Sequence, residues 1–379
     1  MDNIPIKSKT PTFESEGLEI FLDELDKGTT KPLINPQFTL NNFRNEIKID
    51  VEQLETQAEK ANQCKGLFLV KPANTWIIEA NARPIPKMLF SEFWFQGELC
   101  ILFADTNVGK SILAVQIGDS ISKGEHIPGF KLEATKQPVL YYDFELSDKQ
   151  FENRYSVDYT QHYIFDDGFN RVEINPDAEI PDNTDFENYL NNSLEKCIKE
   201  TDVKILIIDN LTYLKNDNER AKDASLLMKL LKSLKSKYGL SILVLAHTPK
   251  RDLSKPITRN DLSGSKMLIS FCDSAFTIGE SSSDKNLRYI KQIKSRNTEI
   301  IFDTENVLTC QIEKPHNFLQ FEFLNFGSEW QHLKQVSEND KSDLSESISK
   351  LKQQGKSLRD IGKELNISHM KVSRILKNL

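Results

Sequence analysis

Eight residues in succession constrain this chain more than any others: Ala104, Asp105, Thr106, Asn107, Val108, Gly109, Lys110 and Ser111. They have the form of a loop that wraps phosphate. Upstream, Glu98-Leu-Cys-Ile-Leu-Phe103 is a nearly all-apolar run, which fits a strand buried on both faces. Downstream, Ser111-Ile-Leu-Ala-Val-Gln-Ile-Gly-Asp-Ser120 places Ile112, Val115 and Gln116 at helical spacing. Strand, loop and helix are the context such a loop requires. Gly109 lets the backbone pass close to a phosphate, and amides at a helix N-terminus point at an anion. Lys110 reaches the β and γ phosphates, and the Ser111 hydroxyl ligates Mg²⁺. Ala104 stands where the first glycine usually stands, and alanine does not easily take a positive φ.

A chain of 379 residues is long enough for one large α/β domain with small additions. A net charge of −7 carries no global nucleic-acid signature, so any such surface is local. The five cysteines are scattered, with no Cys-x-x-Cys pair, which argues for a reducing compartment and against a zinc site. The first residues are polar, and no apolar run approaches a membrane span. The reading is a soluble cytoplasmic protein.

Residues 1–85 read as an N-terminal extension that is partly disordered, with an amphipathic segment at Leu18–Leu25 and a helix over Asp50–Gln63. Residues 86–330 read as a mostly parallel sheet covered by helices on both faces. Its strong strands are Pro138–Phe144, Val203–Asp209 and Leu240–Ala246. An amphipathic helix over Leu226–Tyr238 ends at Gly239. Residues 331–345 are polar and read as a linker, and residues 346–379 as a separate helical unit.

The run Ile205-Leu-Ile-Ile-Asp209 is the pattern of a strand whose terminal carboxylate holds Mg²⁺. Asn210 follows, where many phosphate-loop ATPases place a catalytic Glu, so the group that orients water comes from elsewhere. Asp143 and Glu145, two residues apart at the end of another strand, are the candidates.

At this point a resemblance becomes specific. Tyr142-Asp-Phe-Glu-Leu-Ser147, with Arg154 beyond it, resembles the second-strand motif of RecA-like ATPases, in the branch of replicative helicases of the DnaB and plasmid RepA type. The resemblance points to Glu145 over Asp143. Leu243-Val-Leu-Ala-His-Thr-Pro-Lys250 is similar to the fourth-strand motif, which makes His247 the polar sensor of the γ-phosphate. Leu262-Ser-Gly-Ser-Lys266 with Asp273 is similar to the element that follows. Ile293-Lys-Ser-Arg-Asn297 is similar to a Lys-x-Arg motif that reaches a neighbouring subunit's site, which implies Lys294 and Arg296. The resemblance implies ATP and Mg²⁺, and a homo-oligomer that is a hexameric ring or a filament. Other phosphate-loop classes fit less well. The Leu-Ser-Gly-Ser run follows the Asp209 strand, whereas in ABC transporters it precedes it, and no Asn-Lys-x-Asp guanine reader follows a strand.

Between Lys341 and Leu379, nine Lys or Arg stand against four Asp or Glu. Ser357-Leu-Arg-Asp360 starts one helix with a capping box, and Ser368 caps the next. Ile361, Leu365, Ile367, Val372 and Ile375 are spaced to fill a small core, with Gly362 where two helices cross. This resembles the helix-turn-helix of site-specific recombinases and bacterial regulators. His369, Lys371, Ser373, Arg374 and Lys377 then face DNA. A helical oligomerisation or docking module is the other reading. Loop cations Lys215, Arg220, Lys222, Lys250, Arg251, Lys255 and Arg259 add a second basic surface.

The sequence thus points to a RecA-like ATPase that handles DNA in plasmid or mobile-element replication. The alternative is an ATP-switched DNA-binding regulator or loader that does not unwind.

Overall fold

The computed structural model describes residues 68–379, apart from positions 183, 211–221, 250, 263–264, 336–337, 366, 368 and 378–379. Side chains at 187, 222–225, 265–267, 338–344 and 371 also fall outside the description. The expected helix over Asp50–Gln63 and the Leu18–Leu25 segment lie outside the described residues. By its contacts the chain divides after Ile85. The first unit contributes helix α1 (Ala73–Asn81).

The second unit opens with a short antiparallel ribbon, β1 (Met88–Phe90) and β2 (Trp94–Phe95). There follow β3 (Leu99–Ala104), α2 (Lys110–Lys123), β4 (Val139–Asp143) and α3 (Asp148–Arg154). A two-residue pair, β5 (Ser156–Val157) and β6 (Gln161–His162), precedes β7 (Phe169–Val172). Then come α4 (Phe186–Thr201), β8 (Ile205–Asp209), α5 (Lys222–Tyr238), β9 (Ser241–His247), α6 (Ser265–Phe271) and β10 (Ser274–Glu280). Strands β11 (Leu287–Lys294), β12 (Val307–Glu313) and β13 (Gln320–Gly327) follow, and then α7 (Glu338–Gln353), α8 (Leu358–Glu364) and α9 (His369–Lys377).

Among the described residues nine strands form one sheet, in the order β13-β12-β11-β10-β3-β9-β8-β4-β7. Neighbours from β10 to β7 are parallel, and those from β10 out to β13 are antiparallel. Every residue of β3 is buried because each face of the sheet is covered. Side-chain alternation splits the strand between two cores. Cys100, Leu102 and Ala104 join the core under α2, with Leu113, Ile117 and Ile121. Leu99, Ile101 and Phe103 join the core that holds Leu194 and Ile198 of α4 and Leu231 and Leu234 of α5. Full burial of such side chains stabilises by about 1.5–3 kcal/mol each, so a charge at Leu102 or Ile101 would open one core or the other. The expected α/β class, with a mostly parallel sheet and helices on both faces, is the observed one.

The sheet places chemistry on one edge. Ala104 lies opposite His247 in register, and Asp143 opposite Asp209. All four close their strands at the C-terminal edge, the side on which open α/β sheets bind ligands. The stretch after His247 is anchored at its far end by a buried ion pair. Lys291 Nζ donates to Glu329 Oε2 at 2.5 Å, and the Ile257 amide donates to Glu329 Oε1 at 2.6 Å. Tyr289 adds its hydroxyl at 3.2 Å, so both carboxylate oxygens are bonded, as a fully buried charge requires.

The terminal helices bury Ile348, Ile361 and Val372 together, with Leu365, Ile367 and Ile375 packed against them. The Ser357 hydroxyl accepts from the Asp360 amide at 3.2 Å, which caps α8. Gly362 is required by proximity: a Cβ there would stand 2.7 Å from the Ile367 carbonyl. One expectation is corrected. The segment 331–345 is not wholly an unstructured linker, because α7 begins at Glu338. Its polar residues belong to a helix with Lys350 and Lys352 in its last turn, favourable to the helix dipole, and Ile348 holds it down.

Candidate functional site

The loop between β3 and α2 takes its left-handed turns at Asn107, with φ of 64°, and at Gly109, with φ of 109°. Ala104 is buried at the end of β3 and has no positive φ, so the missing first glycine imposes no backbone strain. Gly109 is required twice. Its φ excludes other residues, and a Cβ would meet Ile312 at 2.8 Å and Phe321 at 2.9 Å. No side chain caps α2, so its first amides face the loop. Arg288 Nε donates to the Val108 carbonyl at 3.0 Å and ties the loop to β11.

Lys110 opens α2 and is 6 % exposed. Its ammonium folds back over the loop and donates to the carbonyls of Ala104 at 3.0 Å and Asp105 at 2.8 Å. Burial lowers its pKa, against the pull of Asp209, Glu145 and Asp105. The cation is thus held at the loop by weak acceptors that a phosphate would outcompete.

Asp209 sits across from it. Tyr141 donates its hydroxyl to Oδ2 at 2.7 Å, and Oδ1 is buried with no hydrogen-bond partner among the described residues. This carboxyl is raised to about 6: burial pushes it up most, the hydroxyls of Ser111 and Tyr141 draw it down, and the charges of Glu145 and Asp143 add to the rise. A buried carboxylate oxygen without a donor, close to the Ser111 hydroxyl, fits a hard cation taking oxygen ligands.

The two candidate acids separate cleanly. The strand that was expected to reach Phe144 ends at Asp143, so Asp143 and Glu145 do not share a strand face. Asp143 is buried and committed. Arg171 Nε donates to its Oδ2 at 2.9 Å, and the amides of Glu145 and Leu146 donate to Oδ1 at 3.1 and 3.0 Å. Those two amide bonds turn the chain and swing Glu145 the other way. Its Oε1 accepts from Asn210 Nδ2 and lies 3.3 Å from His247 Nε2, which is itself 3.1 Å from Asn210 Nδ2. The bond to the His247 ring holds Glu145 below the usual carboxylate range, with Lys110 and Arg154 contributing less. His247 Nδ1 is buried without a partner among the described residues. The clamp by Asn210, the Tyr141 hydroxyl and the Arg171 pairing were not anticipated from sequence. Only Asn210 left a signal, as an amide where an acid is common.

Lys294 and Arg296 lie elsewhere. The residue before β10, Asp273, sits with the start of β3, where it accepts from the Leu99 amide at 3.0 Å. Arg296 Nη1 donates to Asp273 at 2.9 Å, and Lys294 donates to the carbonyls of Ile269 and Cys272 at 2.5 and 2.6 Å. Both cations occupy the edge where the parallel strands begin. The length of β3, roughly 17 Å for six residues of strand, separates them from their own loop. Neither can meet a phosphate held by Lys110 of the same chain. Lys294 is corrected further: burial lowers its pKa, and it holds local carbonyls rather than facing outward.

In the terminal unit His369, Arg374 and Lys377 are exposed on α9 and Ser373 is partly buried. The side chain of Lys371, together with Ser368, Lys215, Arg220, Lys250 and the Lys222 side chain, lies outside the described residues. Arg251 and Lys255 are engaged locally, with the Lys255 carbonyl at 2.9 Å and Asp252 at 3.1 Å.

A glycine-bent loop entering a helix, beside a strand-end carboxylate on a mostly parallel sheet, is an arrangement suited to holding phosphate and a divalent cation. Residues 69–252, just under half of the chain, match the profile of the AAA domain family. The chain also aligns with the crystal structure of a KaiC-like protein from the hyperthermophilic archaeon Pyrococcus horikoshii OT3, at 16 % identity and a TM-score of 0.39, over 60 % of this chain and 91 % of that one. No curated protein sequence matches this chain. No helix among the described residues is long and apolar enough to cross a membrane.

Proposed function

We propose that this chain hydrolyses ATP and couples hydrolysis to the handling of DNA, in a head-to-tail ring or filament. The observation that carries the reading is the convergence of Lys110, Glu145 and an under-bonded Asp209 on one sheet edge. In this reading the amides of residues 105–111 and the Lys110 ammonium hold the phosphates. The Ser111 hydroxyl and Asp209 hold Mg²⁺, which supplies positive charge against the phosphates when bound. Glu145 orients the attacking water, and its lowered pKa keeps it ionised for that task. His247 and Asn210 restrain Glu145 until the γ-phosphate offers His247 another partner. Arg296, out of reach of its own loop, serves the ATP of the next subunit, where a cation offsets charge on the transferred group. The terminal helices supply the duplex contact through His369, Lys371, Ser373, Arg374 and Lys377. A helicase role in plasmid or mobile-element replication rests on the motif resemblance.

The test is ATP turnover without DNA, with single strands and with duplex, alongside solution mass. Turnover that rises with DNA in an oligomer supports the motor. Turnover indifferent to DNA, or complete in a monomer, overturns it. One observation favours the second reading, an ATP-switched regulator or loader: Glu145 is held by two partners, Asn210 and His247. Slow turnover with nucleotide-dependent DNA affinity is its signature.

A further inference from the structure

We propose that the cavity enclosed by α4, α5 and the ends of β4 and β8 binds an uncharged, fused-ring small molecule that accepts a hydrogen bond from Tyr142. The site is separate from the phosphate loop and does not depend on the ATP reading.

The cavity measures about 370 Å³. Close-packed interiors hold few voids larger than a water molecule. An apolar cavity of roughly 150 Å³ stays dry and takes up benzene, so this one has room for two fused rings with substituents. Its floor is Tyr142 and Ile208, which belong to the core under α4 and α5. Leu194 and Cys197 of α4 and Leu227 of α5 form its walls. Ile180 and Phe186 stand at its mouth, 43 % and 44 % exposed.

The surrounding elements are fixed, so the space does not close by collapse. Lys237 Nζ of α5 donates to Glu195 Oε1 of α4 at 2.7 Å, and Leu194 and Ile198 hold α4 to the sheet. The loop from β7 to α4 bonds to itself. Pro176 and Pro181 have a fixed φ. The Asn175 side chain accepts from the Asp177 amide at 3.0 Å, and its carbonyl accepts from the Ala178 amide at 3.1 Å. The Pro181 carbonyl accepts from the Thr184 amide at 2.9 Å, and Asp185 caps α4 by accepting from the Asn188 amide at 2.7 Å. These turns hold the loop as a rim.

The chemistry of the lining selects the ligand. Of the polar side chains that line the cavity, Tyr142 alone is more than nine-tenths buried, at 6 % exposed. Its hydroxyl has no hydrogen-bond partner among the described residues, although a buried tyrosine hydroxyl usually finds one. Burial raises its pKa, and the nearby Cys197 thiol, a weak acceptor, adds to the rise. The hydroxyl therefore keeps its proton and has it to donate. Among the described residues no Lys, Arg or His lines the cavity, and Glu173 at its rim pairs with Arg171. An anion inside would be buried without a counter-charge, which disfavours nucleotides and free phosphate. A neutral ring system fits: its faces meet the apolar walls, and one carbonyl or ring nitrogen meets Tyr142.

The experiment is a fluorescence titration of the full chain with an uncharged propionyl-dimethylamino-naphthalene dye, a fused-ring ketone. Wild type should bind one dye per chain with blue-shifted emission. Tyr142→Phe, which keeps the shape and removes the donor, should bind about fivefold more weakly at an unchanged thermal midpoint. Cys197→Phe, which fills the space, should show no saturable binding. In wild type the dye should slow alkylation of Cys197 by iodoacetamide at least threefold, read by mass spectrometry of its peptide. A non-hydrolysable ATP analogue with Mg²⁺ should not displace the dye. If Cys197→Phe fails to fold, Tyr142→Phe and the protection of Cys197 decide the matter. Wild type without saturable binding, equal affinity in Tyr142→Phe, or strict competition with the ATP analogue each overturns the proposal.

Discussion

Asp209 and Asp273 are both buried aspartates, at opposite edges of the same sheet, and burial is the largest influence on each. They nevertheless end in opposite states. Asp273 receives the Leu99 amide, Lys235 at 2.7 Å and Arg296, and these together hold it below its ordinary pKa. Asp209 receives Tyr141, keeps one oxygen bare, and is raised to about 6. A saturated carboxylate is scaffolding, since it has nothing left to give a ligand. An under-bonded one is an energetic cost that a cation would remove. In the proposed reading the difference separates the edge that performs chemistry from the edge that positions a group for a neighbour.

The comparison breaks most visibly in turnover. Lys110→Ala and Arg296→Ala strike opposite edges, and each should lower turnover by about 10³-fold or more. Mixed one to one with subunit exchange, about a quarter of random interfaces pair an intact loop with an intact Arg296. Activity should therefore return on mixing. Confirmed exchange without recovery would place Arg296 within its own subunit or make the ring stall as a whole.

Within the catalytic edge, Glu145→Gln should bind ATP and hydrolyse it about 10²–10⁴-fold more slowly. Asp143→Asn should instead lose about 1.5–3 kcal/mol of stability in a denaturant titration, because Arg171 loses a charged acceptor. A mild Glu145→Gln and a dead Asp143→Asn would reverse the assignment.

Smaller effects are expected in DNA binding. Arg374→Ala should weaken duplex affinity about tenfold and flatten its salt dependence, with basal turnover unchanged. Unaltered affinity would turn the terminal helices into a protein-docking unit.

The smallest effect is in pH. The folded pKa of Asp209 is raised, so its contribution to stability is present below its ordinary value near 4 and lost as pH rises through about 6. The folded pKa of Asp273 is lowered, so its contribution is present at neutral pH and lost on acidification. In nucleotide-free melts Asp209→Asn should remove a decline of a few degrees between pH 5 and 7, and Asp273→Asn should lower the midpoint at pH 7 far more than at pH 3. Equal pH profiles for Asp209→Asn and wild type would show that burial does not trap this carboxyl.

Much of the fold was legible because β3, β8 and β9 are buried on both faces and therefore read as unbroken apolar runs. β7 was not legible: four residues, Phe169–Val172, with partly exposed side chains, leave no run to read. The loop and the strand-end Asp209 were legible because their chemistry is local in sequence. The choice between Asp143 and Glu145 was not, because it depends on Arg171, which reaches Asp143 only through the pairing of β4 with β7. The edge occupied by Arg296 was equally hidden, since it follows from the antiparallel turn of β11 beside β10.

Glu329 has a consequence for the stretch that leaves the active site. His247 fixes one end of that stretch in β9, and the Glu329 bond to the Ile257 amide fixes the other. The chain between them has surrendered the freedom of its ends before any partner arrives. Ordering a residue costs about 1–2 kcal/mol, and that cost now falls only on the middle of the loop. A partner meeting this loop, a nucleic acid strand in the proposed reading, would spend less binding energy on closing it, and any shift of His247 would have to be absorbed within those few residues.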